Sequence, residues 1–199
     1  MSDLASSTES VTGRRSSSEA RSTAQFGIIV FLASDVMLFA PFFAAYFLLR
    51  ASNSPWPPPG VELDTLRASL ATAVLVASSL TLVAADRAAE RPSGGRSTQR
   101  WLLVTIGLGA LFLANQAAEY ATLSFEADDH PYGSIYWTLT GLHGLHVTAG
   151  VAALGLLFVR TVRASAPADV AAWSSGVSLF WHLVDLVWLG VFSTIWLMR

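Results

Sequence analysis

Apolar residues gather into five runs, at about 26–49, 66–85, 101–124, 135–159 and 174–198, separated by short polar stretches. Each run is long enough, at a helical rise of ~1.5 Å per residue, to cross a hydrocarbon core ~30 Å thick. The pattern predicts an all-α polytopic membrane protein with five transmembrane helices. Residues 1–24 are rich in Ser and Thr, with scattered charges and no apolar periodicity, which predicts a disordered tail. No cleavage-site pattern precedes the first run, so the tail is not expected to be a signal peptide. Residues 25–199 are expected to form the transmembrane domain.

Charge sets an orientation. The basic residues are all arginine, and nine of the twelve fall before run one, between runs two and three, or between runs four and five. Only Arg50, Arg67 and Arg199 fall on the other side, so the N-terminus is expected in the cytoplasm and the C-terminus outside. The loop Glu126–His130 has three acids and no arginine, which agrees. Trp56, Trp101, Tyr132, Tyr136, Trp137 and Trp173 fall near the ends of runs, where an aromatic belt at the membrane surface would place them. The stretch Ser54–Gly60, with four prolines, reads as a stiff extended loop.

Composition then narrows the chemistry. At 53% hydrophobic and 13% charged residues, the chain is too apolar for an ordinary soluble domain. With no cysteine, thiolate metal sites, disulfides and Cys nucleophiles are excluded. A net charge of −2 gives no footing for nucleic acid.

Ionisable groups inside a span are costly and mark function or a specific partner. Six stand in the spans: Asp35, Glu119, His143, His146, His182 and Asp185. Counted along the helices, Asp35 lies about 14 Å from the cytoplasmic side and His182 and Asp185 about 12–17 Å, while His146 lies about 17–20 Å from the outer side. These form one polar layer near the midplane, with Glu119 about 10 Å nearer the outer face. His143 and His146 are three residues apart, as are His182 and Asp185, so each pair shares a helix face. Pro41 leaves the carbonyl of Met37 without its helical donor, close to the Asp35 carboxyl, and either group could receive a histidine N–H. Gly141, Gly144 and Gly150 would let a second helix approach closely. Three readings compete for the network: polar contacts that join helices, proton traffic, and ligation of haem or metal by His143, His146 and His182. The glycine-rich surround of His146 favours helix packing over a porphyrin slot.

Five ordered stretches resemble one family. Leu142-His-Gly-Leu-His-Val147, flanked by Gly141 and Gly150, is similar to the signature of subunit III of the haem–copper respiratory oxidases. The stretches Phe31–Phe47, Asn115–Tyr120, Pro131–Ser134 and Trp181–Trp188 resemble the family's first shared helix, its Gln-x-x-Glu-Tyr helix end, its Tyr-Gly-Ser entry and its closing Trp-His-x-Val-Asp-x-Val-Trp helix. The resemblance covers residues 25–198 and matches the five-helix part of a family whose long form has two further N-terminal helices. At position 35 the family typically has the glutamate associated with carbodiimide labelling; here the carboxyl sits on the shorter Asp35.

The resemblance implies a subunit with no catalytic residue, metal or redox centre of its own, with haem a and copper held in partner subunits. It implies a place beside oxidase subunit I, with subunit II, small subunits and a cytochrome bc complex as further partners. Bound phospholipid, support of proton uptake and protection of the catalytic subunit during turnover are expected in the same way. The location implied is the bacterial cell membrane. The nearest alternative is the same fold in a quinol oxidase or as a nitric oxide reductase accessory protein. Alternatives of another class are a free-standing haem-b membrane cytochrome and a small proton-coupled transporter.

Overall fold

The structure is a computed structural model that describes residues 2–91, 94–163 and 167–198. Five α-helices follow one another: α1 (Ser2–Ser52), α2 (Thr65–Ala89), α3 (Gly95–Tyr120), α4 (Pro131–Arg163) and α5 (Pro167–Phe192), the last running into a π-helical turn, Ser193–Leu197. The described residues contain no strand. All five expected spans are long and apolar enough to cross a membrane. The helices outrun the apolar runs: α4 starts at Pro131 and ends at Arg163, because proline suits a first helical turn and the polar continuation still makes its own backbone hydrogen bonds.

The helix assigned to α1 also takes in the segment 2–24, where composition led us to expect an unstructured tail. That segment contains one glycine, Gly13, and no proline, so no residue in it forces the helix to stop. The chain divides into two compact units, Met1–Asp35 and Val36–Arg199. The first is helical up to the division; the second contains the bundle described below.

Helix starts follow from local chemistry. Asp64 accepts the backbone N–H of Arg67 at 3.0 Å and caps α2. His130 accepts the Gly133 N–H through Nδ1 at 2.7 Å and caps α4. The proline-rich loop turns back at Gly60, whose φ of 92° is open only to residues without a Cβ penalty.

Large apolar side chains cover the outside of the bundle: Leu66, Leu80, Leu145 and Leu186 are all more than 60% exposed. Such a surface is at home against lipid chains rather than water. Inside, Trp181 of α5 is the centre of packing and is fully enclosed. Its ring reaches the bare backbones of Gly109 on α3 and Gly150 on α4, and its indole N–H donates to Ser78 Oγ on α2 at 3.0 Å. One side chain thus joins four helices.

Candidate functional site

The interface of α2 with α5 is lined by polar groups. Thr72, Ser79 and Asp86 recur every seven residues on α2, which returns them to nearly the same face. Each meets a partner on α5. Trp188 Nε1–H donates to Thr72 Oγ1 at 2.9 Å. Ser79 Oγ lies 2.9 Å from His182 Nδ1 and donates to Asp185 Oδ2. Ser174 and Ser178 donate to the two carboxylate oxygens of Asp86 at 3.0 and 2.6 Å. The expected pairing of His182 with Asp185 is therefore made through a serine from another helix. Neither Ser79 nor Asp86 stood out in the sequence. The signal that could have found them is the seven-residue recurrence of Thr72, Ser79 and Asp86, in a span where Ser69, Ser78 and Thr81 do not keep that spacing.

His143 and His146 are neighbours on α4 but turn to different surroundings. His143 is buried between Phe112 of α3 and Trp188 of α5, at ring-centroid distances of 5.8 and 4.8 Å, and neither ring nitrogen has a hydrogen-bond partner. His146 is half-buried, with Nδ1 2.8 Å from the Leu142 carbonyl of its own helix and its ring 5.1 Å from Phe39 of α1. His182 meets Ser79 of α2 through Nδ1, while the His146 ring lies by Phe39 and Phe180. Among the described residues no three His, Asp or Glu side chains gather as a metal site would require. Asp35 is buried.

A second polar layer closes the end of the bundle where α2 begins and α3 ends. Tyr136 O–H donates to Glu119 Oε1 at 3.3 Å, and Tyr120 O–H donates to Thr140 Oγ1 at 2.8 Å. Arg67 donates through Nε and Nη2 to the side-chain and backbone oxygens of Asn115 at 2.9 and 3.1 Å. The π-helical turn ending α5 offers its carbonyls to this layer: Thr194 accepts Tyr46 O–H at 2.6 Å and Ile195 accepts Tyr132 O–H at 3.4 Å. Trp56 from the proline-rich loop reaches in to donate to the Tyr46 hydroxyl at 3.3 Å.

Two expectations are corrected here. Tyr132 and Tyr136 are buried parts of this layer and not members of a surface belt, because their hydroxyls find acceptors inside the bundle. Trp101 and Trp173 do face outward, and the Arg160 guanidinium sits 3.9 Å over the Trp173 ring. Among the expected packing glycines, only Gly150 is pressed closely, with room for a Cβ denied by Trp181 at 2.7 Å. Gly141 has an ordinary contact with Tyr120 O–H, and a Cβ at Gly144 would meet nothing within 4 Å. Gly109 is pressed as closely as Gly150 and did not stand out in the sequence.

Between α2 and α3 the same end opens into a cavity of about 340 Å³, with Asp64, Arg67 and Asn115 at its polar rim and Leu70, Val74 and Leu111 among its apolar walls.

The family model described as "Cytochrome c oxidase subunit III" matches residues 3–198. Similar proteins include the probable cytochrome c oxidase subunit 3 of Nocardia farcinica, 43% identical over 178 residues and covering 87% of each chain. The protein of the same description from Mycobacterium tuberculosis is 41% identical over 177 residues, again with 87% of each chain covered. Cytochrome c oxidase subunit 3 of Thermostichus vulcanus is 32% identical over 177 residues, with 86% of each covered.

Proposed function

Because the chain belongs to the cytochrome c oxidase subunit III family, a membrane component of an oxidoreductase complex, we propose that it is the non-redox subunit of an aa3-type oxidase in a bacterial cell membrane. It stands beside subunit I, with its N-terminus in the cytoplasm, its C-terminus outside, and haem a and copper in the partner subunits. Subunit II, small subunits and a cytochrome bc complex complete its surroundings.

The observation that carries this reading is that the polar side chains of the matched motifs are used within the bundle. Glu119 is engaged by Tyr136, Tyr120 by Thr140, and His182 and Asp185 by Ser79. A network of this kind fixes how four helices sit together, and through that the surface offered to a neighbouring subunit. His182 and Asp185, joined through Ser79, give this network a capacity to hold and pass protons, in support of uptake by the catalytic subunit. The cavity rimmed by Arg67 supports a phospholipid, with a headgroup phosphate at the guanidinium and an acyl chain against Leu70, Val74 and Leu111.

The test is gentle purification in detergent through a tag on this chain, followed by a reduced-minus-oxidised spectrum and mass spectrometry of the co-purifying chains. Haem a signals with a large haem–copper subunit and a copper-bearing subunit II are the expected result. Haem b or o without those partners would assign the chain to a quinol oxidase or a nitric oxide reductase. A chain that comes alone and colourless would refute the oxidase reading.

A further inference from the structure

We propose that Ser79, His182 and Asp185 form a single proton-exchange site, in which the serine hydroxyl bridges the imidazole and the carboxyl across the α2–α5 interface. The proposal deepens the proton-linked reading of this network given above and rests on it. Ser79 Oγ lies 2.9 Å from His182 Nδ1 and is hydrogen-bonded to Asp185 Oδ2. His182 and Asp185 both come from α5, and Ser79 is the only contribution of α2 to the trio.

A hydroxyl has one proton to donate and lone pairs with which to accept, so the trio has two self-consistent neutral-sum arrangements. In the first, a doubly protonated His182 donates Nδ1–H to Oγ, and Oγ–H donates to the Asp185 carboxylate. In the second, Asp185 Oδ2–H donates to Oγ, and Oγ–H donates to Nδ1 of a neutral imidazole that keeps its proton on Nε2. Passing from first to second breaks the N–H bond at Nδ1 and forms an O–H bond at Oδ2. Ser79 gives its own proton to Asp185 and receives the one from His182. An ion pair becomes a neutral pair and no charge leaves the site, which suits a position within a membrane span, where net charge is expensive.

Burial gives the exchange a direction of access. His182 is half-buried, while Asp185 is only 7% exposed and its second oxygen, Oδ1, is enclosed without a partner. The imidazole is the end nearer the lipid- or subunit-facing surface of the bundle and the carboxyl the enclosed end, so a proton that arrives at His182 reaches Asp185 by way of Ser79. Asp86, two turns along α2, is held by Ser174 and Ser178. On α4, His143 packs on Trp188 and His146 lies near Phe180.

The experiment is infrared difference spectroscopy with transfer to D₂O, on the assembled oxidase containing this chain. Asp185→Asn identifies the carboxyl C=O band of Asp185. Deuterium exchange of that band is expected to slow by about 10²-fold in Ser79→Ala, the low end of what a positioned proton-transfer group contributes, and to recover in Ser79→Thr. His182→Phe is expected to slow it equally. Exchange as fast in Ser79→Ala as in the parent overturns the proposal, and so does the absence of any Asp185-dependent carboxyl band. Should Ser79→Ala not assemble, Ser79→Cys replaces it, with slowed exchange in support and unchanged exchange against. Failure of the chain to purify with oxidase subunits is a different result, and refutes the subunit reading instead.

Discussion

The indole of Trp181 fits against the bare backbone of Gly150, so closely that a Cβ there would lie 2.7 Å from Cε3. In a membrane, helices gain little from withdrawing apolar surface, because lipid chains are as apolar as leucine; close packing and interhelical hydrogen bonds must hold them together. A fully enclosed tryptophan that contacts two glycines and donates to Ser78 supplies both.

Gly150→Ala is therefore expected to destabilise the bundle by about 1–3 kcal/mol, the usual cost of overpacking an enclosed site. Gly109→Ala should behave alike, since its Cβ would lie 2.6 Å from Trp181 Cη2. Gly144→Ala should leave the fold unchanged, because its Cβ would meet nothing within 4 Å. Unfolding midpoints of the three variants purified in detergent check the ordering. Equal midpoints would remove Trp181 from the centre of the packing.

Hydropathy made the five spans legible, since each run must satisfy its own backbone inside lipid, and only helices of this length do so. The polar seam was harder to read. Serine and threonine in a helix can bond back to their own turn, as Thr148 does to the Gly144 carbonyl, and so need no partner on another helix. Thr72 bonds back to Ala68 and also accepts Trp188, and nothing local separates those two uses. The six ionisable residues stood out because charge in a span is rare. Which of them meet was not legible, because His143 and His146 share a helix face and still turn to different neighbours.

Asp86→Ala should loosen the ends of α2 and α5 that carry Asp86 and Ser174. The carboxylate takes one hydrogen bond from each of two serines, at 3.0 and 2.6 Å, and hydrogen bonds to a charged group contribute about 1.5–3 kcal/mol each. Asp86→Asn keeps one acceptor and should cost about half as much. Hydrogen–deuterium exchange of the backbone around Ser174–Ser178 reads the difference. Protection unchanged in Asp86→Ala would show that the two hydroxyls find other acceptors.

Tyr136→Phe takes away the hydroxyl that donates to Glu119 at 3.3 Å and leaves a buried carboxyl oxygen without that donor. The expected loss is about 1–3 kcal/mol, the range for stranding a buried acceptor. Glu119→Leu alone is expected to destabilise as well, and adding it to Tyr136→Phe should cost less than the sum of the two, because the second change removes the stranded group. The double-mutant cycle on detergent-purified protein measures that coupling. Strict additivity would mean that the two side chains do not support one another.

His143 presents the opposite case. Its ring is almost fully enclosed between Phe112 and Trp188, and both nitrogens lack a hydrogen-bond partner. Burying an unpaired polar group works against folding, whereas an apolar group of similar shape in the same space is neutral or favourable. Phenylalanine fits a site already walled by aromatic edges and faces, so His143→Phe is expected to unfold no earlier than the parent and to gain up to ~1–3 kcal/mol. His146→Phe forfeits the contact of Nδ1 with the Leu142 carbonyl at 2.8 Å and should gain nothing. Thermal unfolding of the two variants side by side decides the point. A clear loss of stability in His143→Phe would mean that the imidazole has a partner within the bundle, with a buried water the first candidate, and would return His143 to the hydrogen-bonded network.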